Sequence, residues 1–130
     1  MSAMATLLLI SADPVLARAY RAHLAAAGWE TAVCSSGHAG LAKAHAWSPD
    51  VILLDLVMPG MHGLDVLKAL RDVPWVIKSH VAMLVDHTLT PDTLDECLFW
   101  GADSFLRKDT GLAADLLSHL AKIAPATTIS

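Results

Sequence analysis

Residues 49–63 read Pro49-Asp50-Val51-Ile52-Leu53-Leu54-Asp55-Leu56-Val57-Met58-Pro59-Gly60-Met61-His62-Gly63, an apolar run that closes on one carboxylate and then turns through Pro and Gly. No polar residue alternates within Val51 to Leu54, which fits a strand covered by helices on both faces, as in a parallel sheet. Asp55 then stands where that strand emerges. Ligands of open α/β sheets bind at the C-terminal edge, so this carboxylate is the first candidate for a functional group.

The rest of the chain supplies the neighbours such a strand needs. Thr6 to Ile10 is another apolar run, and Ser11-Ala12-Asp13-Pro14 ends it with a capping acid and a proline suited to a first helical turn. The helix that follows is expected to pack through Val15, Leu16, Ala19, Tyr20 and Leu24 and to end at Gly28. Trp29 to Val33 reads as a second strand. Ser36-Gly37 opens a helix to about Trp47, which Ser48-Pro49 breaks before the central strand. Leu64, Leu67 and Leu70 mark a third helix ending near Arg71, with Lys68 and Arg71 pointing outward. A loop with Pro74 and Trp75 leads to a fourth strand, His80 to Val85. Thr90-Pro91 starts a fourth helix whose Leu94, Cys97 and Leu98 are expected to face the core, ended by Gly101. Ser104 to Leu106 forms a brief fifth strand. A last helix from about Leu112 carries Leu112, Leu116, Leu117, Leu120 and Ile123 on one stripe. Residues 1–124 read as one domain, and 125–130 as a tail or the start of a linker.

Five strands alternating with five helices require right-handed crossovers and a mostly parallel sheet covered on both faces. Composition removes several function classes. The net charge is −4 with dispersed Lys and Arg, so no basic footprint for nucleic acid exists. The apolar runs fall far short of the ~20 residues that span a bilayer, and Met1 to Ile10 lacks a basic secretory start, so a cytoplasmic location is expected. Cys34 and Cys97 have neither CxxC nor zinc spacing and read as buried reduced thiols. No glycine-rich phosphate loop, HExxH element or nucleophile elbow occurs. A non-enzymatic module without a cofactor, working through protein partners, is the expectation.

The segment Pro49 to Gly63 resembles the phosphoacceptor segment of bacterial response-regulator receiver domains. The likeness continues through Ala27-Gly28-Trp29-Glu30 and Gly101-Ala102-Asp103-Ser104-Phe105-Leu106-Arg107-Lys108, so it covers roughly residues 5 to 124. It implies an α/β flavodoxin-like (βα)5 three-layer sandwich with a parallel five-stranded sheet of order 2-1-3-4-5. It also implies that Asp55 stands where a phosphoryl group is taken from a kinase phosphohistidine. Mg²⁺ would bridge that Asp, an acidic pair after the first strand and the carbonyl of Val57. Lys108 stands where a lysine pairs with the phosphoryl oxygens, and Phe105 at the aromatic switch position.

Several of those places hold other residues. Ser11 and Ala12 occupy the acidic-pair positions, since Asp13-Pro14 matches the acid-Pro step, and Val85 occupies the position of the switch Thr or Ser. Asp86 follows it. Asp109 replaces the proline after Lys108, so a trans link and a rearranged loop are expected, because a non-proline cis bond costs ~2.5–4 kcal/mol. With only Asp55 and Lys108 left, the charges cancel, and a direct or water-bridged ion pair with weak Mg²⁺ affinity is expected, against the plainer reading of a solvated carboxylate with Lys108 turned away. Asp13 and Asp86 lie near this pocket. Asp86 with His62 and His87 offers an alternative transition-metal set, against the plainer reading of solvated loop side chains. Phe99 is placed on the outside of the fourth helix, where it suggests a contact surface unless it packs on Trp100 or the fifth helix.

The sequence therefore reads as an atypical receiver of a two-component system, a phosphorylation-independent protein-interaction or dimerisation module. Its partners would be a histidine kinase or an output domain or protein, or a second copy through the fourth-helix, fifth-strand and fifth-helix face. The alternative is a working phosphoacceptor that a histidine kinase phosphorylates on Asp55, with Mg²⁺. A third reading is a sensor that binds a small ligand at the vacated metal site.

Overall fold

The structure, a computed structural model, describes residues 5–72, 78–108 and 113–123. The elements run β1 (Thr6–Ile10), α1 (Pro14–Ala26), β2 (Glu30–Cys34), α2 (Gly37–Trp47), β3 (Val51–Asp55), α3 (Gly63–Arg71), β4 (His80–Val85), α4 (Pro91–Phe99), β5 (Ser104–Arg107) and α5 (Ala113–Ile123). All strand pairs are parallel, in the order β2-β1-β3-β4-β5. This is the flavodoxin-like α/β fold.

Alternation along the strands divides the core in two. Leu8, Ile10, Ile52, Leu54, Val81 and Met83 face α2, α3 and α4. Leu7, Leu9, Leu53, Ala82, Leu84 and Leu106 face α1 and α5, where Tyr20, Leu24, Leu116 and Leu120 meet them. Every residue of β3 is buried, as its unbroken apolar run requires.

The helices start where side chains accept their free N–H groups. Asp13 accepts from Val15 and Leu16, Ser36 from Ala39, and Thr90 from Thr93. Gly28 and Gly101, at φ of 91° and 88°, follow the ends of α1 and α4.

Four facing assignments differ from expectation. Tyr20 and Leu24 are buried on α1, but Val15 is 77% exposed and Ala19 is also exposed. The buried stripe runs through Leu16, Tyr20 and Leu24 at steps of four, and Val15 falls outside it. On α4, Cys97 is buried whereas Leu98 is 53% exposed, since adjacent helical residues lie about 100° apart and cannot share one narrow stripe. Arg71 turns inward, its side chain only 11% exposed, because backbone carbonyls beneath the end of α3 need a donor. Strand β2 also begins one residue later than predicted, after Trp29, and β5 extends to Arg107. The Pro74–Trp75 loop, the link to Asp109, the place of Leu112 and the tail from 125 lie outside the described residues. Cys34 is half-buried and Cys97 buried, both as free thiols.

Candidate functional site

Parallel register gathers three strand ends at the C-terminal edge. Ile10 pairs with Leu54, so Ser11, the next residue, comes beside Asp55. Val85 pairs with Arg107, so Lys108 emerges just beyond β5 and donates its N–H to the Val85 carbonyl at 2.8 Å. Ser11 is fixed from the other side by its N–H bond to the Cys34 carbonyl at 3.0 Å. Asp55 belongs to β3, whose loop returns at once into α3. That return demands a bare glycine: a Cβ on Gly63 would overlap the Asp55 carbonyl oxygen and lie 2.6 Å from Leu56 Cα.

Asp55 is only 2% exposed. Lys108 Nζ donates to its Oδ1 at 2.8 Å, and Ser11 Oγ donates to its Oδ2 at 2.9 Å. Both carboxylate oxygens are thus engaged, one by a cation and one by a hydroxyl. Ser11, itself 2% exposed, also accepts the Asp13 N–H at 3.2 Å. A buried carboxylate without such partners would be costly, and the pair here is what makes its burial tolerable.

The other nearby acids are committed elsewhere. Asp13 Oδ1 caps α1, accepting from Val15 and Leu16 at 3.0 and 3.2 Å. Asp86 lines the same shallow crevice as Asp55, Val57, Val85 and Lys108. Its Oδ1, however, accepts from Thr88 Oγ1 and Thr88 N–H at 2.5 and 2.8 Å. Those two bonds, with smaller help from Lys108 and His87, hold its carboxyl below the usual carboxylate range. Thus Asp86 closes its own turn through Oδ1. His62 Nδ1 caps α3 by accepting the Leu64 N–H at 3.3 Å. Among the described residues no group of three or more His, Cys, Asp or Glu could hold a metal ion, so the Asp86, His62 and His87 set does not assemble.

The donor set around Asp55 does not suit Mg²⁺. That ion takes near-octahedral oxygen ligands and surrenders its waters reluctantly. Ser11 offers only a hydroxyl, which already donates to Asp55, and Ala12 offers nothing, so Asp55 and the Val57 carbonyl would be the main protein contribution. Lys108 already places a positive charge against that carboxylate, which an incoming cation would have to displace.

Residues 7–121 match the response regulator receiver domain family. This chain belongs to that family. It is the receiver domain of a two-component signalling system, and receivers are typically non-catalytic modules that work with histidine kinases and output domains. The transcriptional regulatory protein KdpE of Mycobacterium tuberculosis is 35% identical over 109 residues, covering 84% of this chain and 46% of KdpE. The DNA-binding response regulator MtrA of Mycolicibacterium smegmatis is 36% identical over 104 residues, covering 78% of this chain and 43% of MtrA. The chain thus spans less than half the length of these relatives. Among solved structures, chemotaxis protein CheY4 of Vibrio cholerae superposes with a TM-score of 0.86 at 29% identity, over 93% of this chain and 99% of CheY4. The receiver domain of a Pseudomonas aeruginosa sensor histidine kinase, with a magnesium ion in its active site cleft, shares the fold at a TM-score of 0.84 and 23% identity, covering 95% and 99% of the two chains.

Two features of this receiver escaped sequence reasoning. The Ser11 to Asp55 hydrogen bond was readable in principle, because adjacent parallel strands that end in register must bring their next side chains together. The second lies at the opposite edge. Arg71 donates to the carbonyls of Gly101 and Ser79, the latter at 3.4 Å, and pairs with Asp103 Oδ2 at 3.0 Å. Asp103 in turn accepts the Val81 N–H at 2.8 Å. Phe105 is partly buried against the α2–α3–α4 side of the core. Phe99 is 80% exposed, touching only the edge of Trp100 among the described rings, with centroids 5.6 Å apart. Lys68 Nζ lies over the same Trp100 ring, 5.5 Å from its centroid.

Proposed function

We propose that this receiver works as an atypical, phosphorylation-independent protein-interaction module. The observation that carries the reading is the closed state of Asp55, whose oxygens are taken by Lys108 and Ser11. A carboxylate that must shed an ammonium before it can attack phosphorus is a poor nucleophile. Val85, apolar and 3% exposed, has no hydroxyl with which to follow a phosphoryl group. Asp55 and Lys108 therefore serve as a structural pair at the positions of phosphoacceptor and phosphate-pairing lysine. Incubation with a small acyl phosphate and Mg²⁺, read by intact mass, is expected to leave the protein unmodified. A phosphoryl adduct that disappears in Asp55→Asn would replace this reading with that of a working phosphoacceptor.

The contact surface in this reading is α4. Phe99 and Leu98 stand out as exposed large apolar side chains on an element that otherwise shows Asp92, Asp95 and Glu96 to solvent. A second copy or an output protein would bury them. Self-association on a sizing column is expected to weaken in Phe99→Ala, with the melting temperature of the monomer unchanged.

A further inference from the structure

A polar chain of three residues lies at the other end of the sheet, apart from Asp55. His80 Nε2 and Ser104 Oγ are 2.8 Å apart, and Ser104 Oγ and His119 Nε2 are 2.9 Å apart. His80 opens β4, Ser104 opens β5, and His119 lies on α5. Alternation along the strands puts His80 on the same face as Ala82 and Leu84, and Ser104 on that of Leu106. This is the face that α5 covers with Leu116 and Leu120. The three side chains therefore tie the last described helix to the β4–β5 edge where its apolar contacts end.

One hydroxyl carries one hydrogen. With both imidazoles neutral, one ring donates its Nε2–H to Ser104 Oγ and the hydroxyl donates to the bare Nε2 of the other. A first added proton turns the accepting ring into a donor, and Oγ can still receive both. A second makes two imidazolium ions face each other across a single oxygen. That state brings like charges together in a half-buried site.

We propose that the His80–Ser104–His119 chain is a pH-sensitive clasp that holds α5 against the β4–β5 edge while its imidazoles are neutral and releases the helix as they take up protons. On His80 act Asp103, which favours its cation, and Arg71, which opposes it. Asp50, whose backbone carbonyl takes the His80 N–H, turns its carboxylate to Thr6 on β1. On His119 act His80 and Lys122, both opposing its cation. Burial is the largest influence on each ring and lowers both below the ordinary 6.5. The docked helix therefore binds fewer protons than the released one. The clasp contributes in full above about pH 6.5 and loses that contribution as pH falls below it. It does not depend on how Asp55 is read.

The test is an NMR titration of the two imidazoles together with amide exchange along α5, from pH 8 to pH 5. Both rings are expected to titrate below the ordinary histidine range, in two coupled steps. Exchange protection of α5 is expected to fall relative to that of β3 over the same window, as linkage requires when the docked helix disfavours the imidazolium ions. In Ser104→Ala the steps should merge and the pH dependence of α5 should flatten. His119→Gln, which keeps an amide able to bond Ser104, should stay docked throughout. Independent titration of the rings at ordinary values, or α5 protection that does not change with pH, would overturn the clasp. So would a pH response in His119→Gln equal to that of the parent, a readout that stands even if Ser104→Ala fails to fold.

Discussion

At the C-terminal edge of the sheet one carboxylate, Asp55, is enclosed by a lysine and a serine; at the N-terminal edge one guanidinium, Arg71, is enclosed by two carbonyls and a carboxylate. Both clusters pair one buried charge, yet their partners differ in kind. Asp55 is 3% exposed at its side chain and depends on a single cation, Lys108, which is 19% exposed. Arg71 reaches one buried residue, Ser79, but also half-buried Gly101, and Asp103, whose side chain is 43% exposed. The lesson is that an anion held by register on a strand end has nowhere to go when its partner is removed, whereas a long cationic side chain has.

The largest effect should come from breaking the first cluster on its cationic side. Lys108→Met leaves Asp55 charged and buried, at a cost of about 3 kcal/mol in urea unfolding. Asp55→Asn should cost clearly less, because the lysine left behind can turn to solvent. Equal losses in the two variants would erase the proposed asymmetry. Arg71→Met comes next, at about 2 kcal/mol, since the Gly101 and Ser79 carbonyls lose a charged donor while Asp103 is already partly solvated. A loss larger than that of Lys108→Met would reverse the comparison. The smallest effect is expected from Ser11→Ala, at about 1.5 kcal/mol for one hydrogen bond to a charged acceptor. If this variant also binds Mg²⁺ no better than the parent, the lysine rather than the serine is what bars the cation.

How far each cluster could be read beforehand follows from how it is built. Asp55 announces itself as the single charged residue closing the apolar strand Val51–Asp55, and Lys108 follows directly on the strand Ser104–Arg107, so their meeting is legible once the strands are parallel. Ser11 looked like an absence, a position without an acid, and only its place beside Asp55 made it a donor. Arg71, at the end of α3 and one turn from Lys68, has the pattern of an exposed basic turn. Nothing local indicates that the Gly101 and Ser79 carbonyls, thirty and eight residues away, lie within its reach. The same holds for His80, Ser104 and His119, three unremarkable polar residues until β4, β5 and α5 stack. Val15 and Leu98 show the limit of helical periodicity, which marks a stripe but not its width.

The amino-acid sequence by itself determined the order of elements, the parallel sheet and the edge at which Asp55 emerges. Those depend on local causes: apolar runs, caps such as Asp13 and Thr90, and breaks at Pro49 and Gly101. Tertiary structure alone decided that Asp55 is closed by Lys108 and Ser11, that Asp86 bonds its own turn, and that two histidines share one hydroxyl. Each of those rests on distances of about 3 Å between residues far apart in the chain, and such distances are set by strand register and layer packing rather than by any local preference.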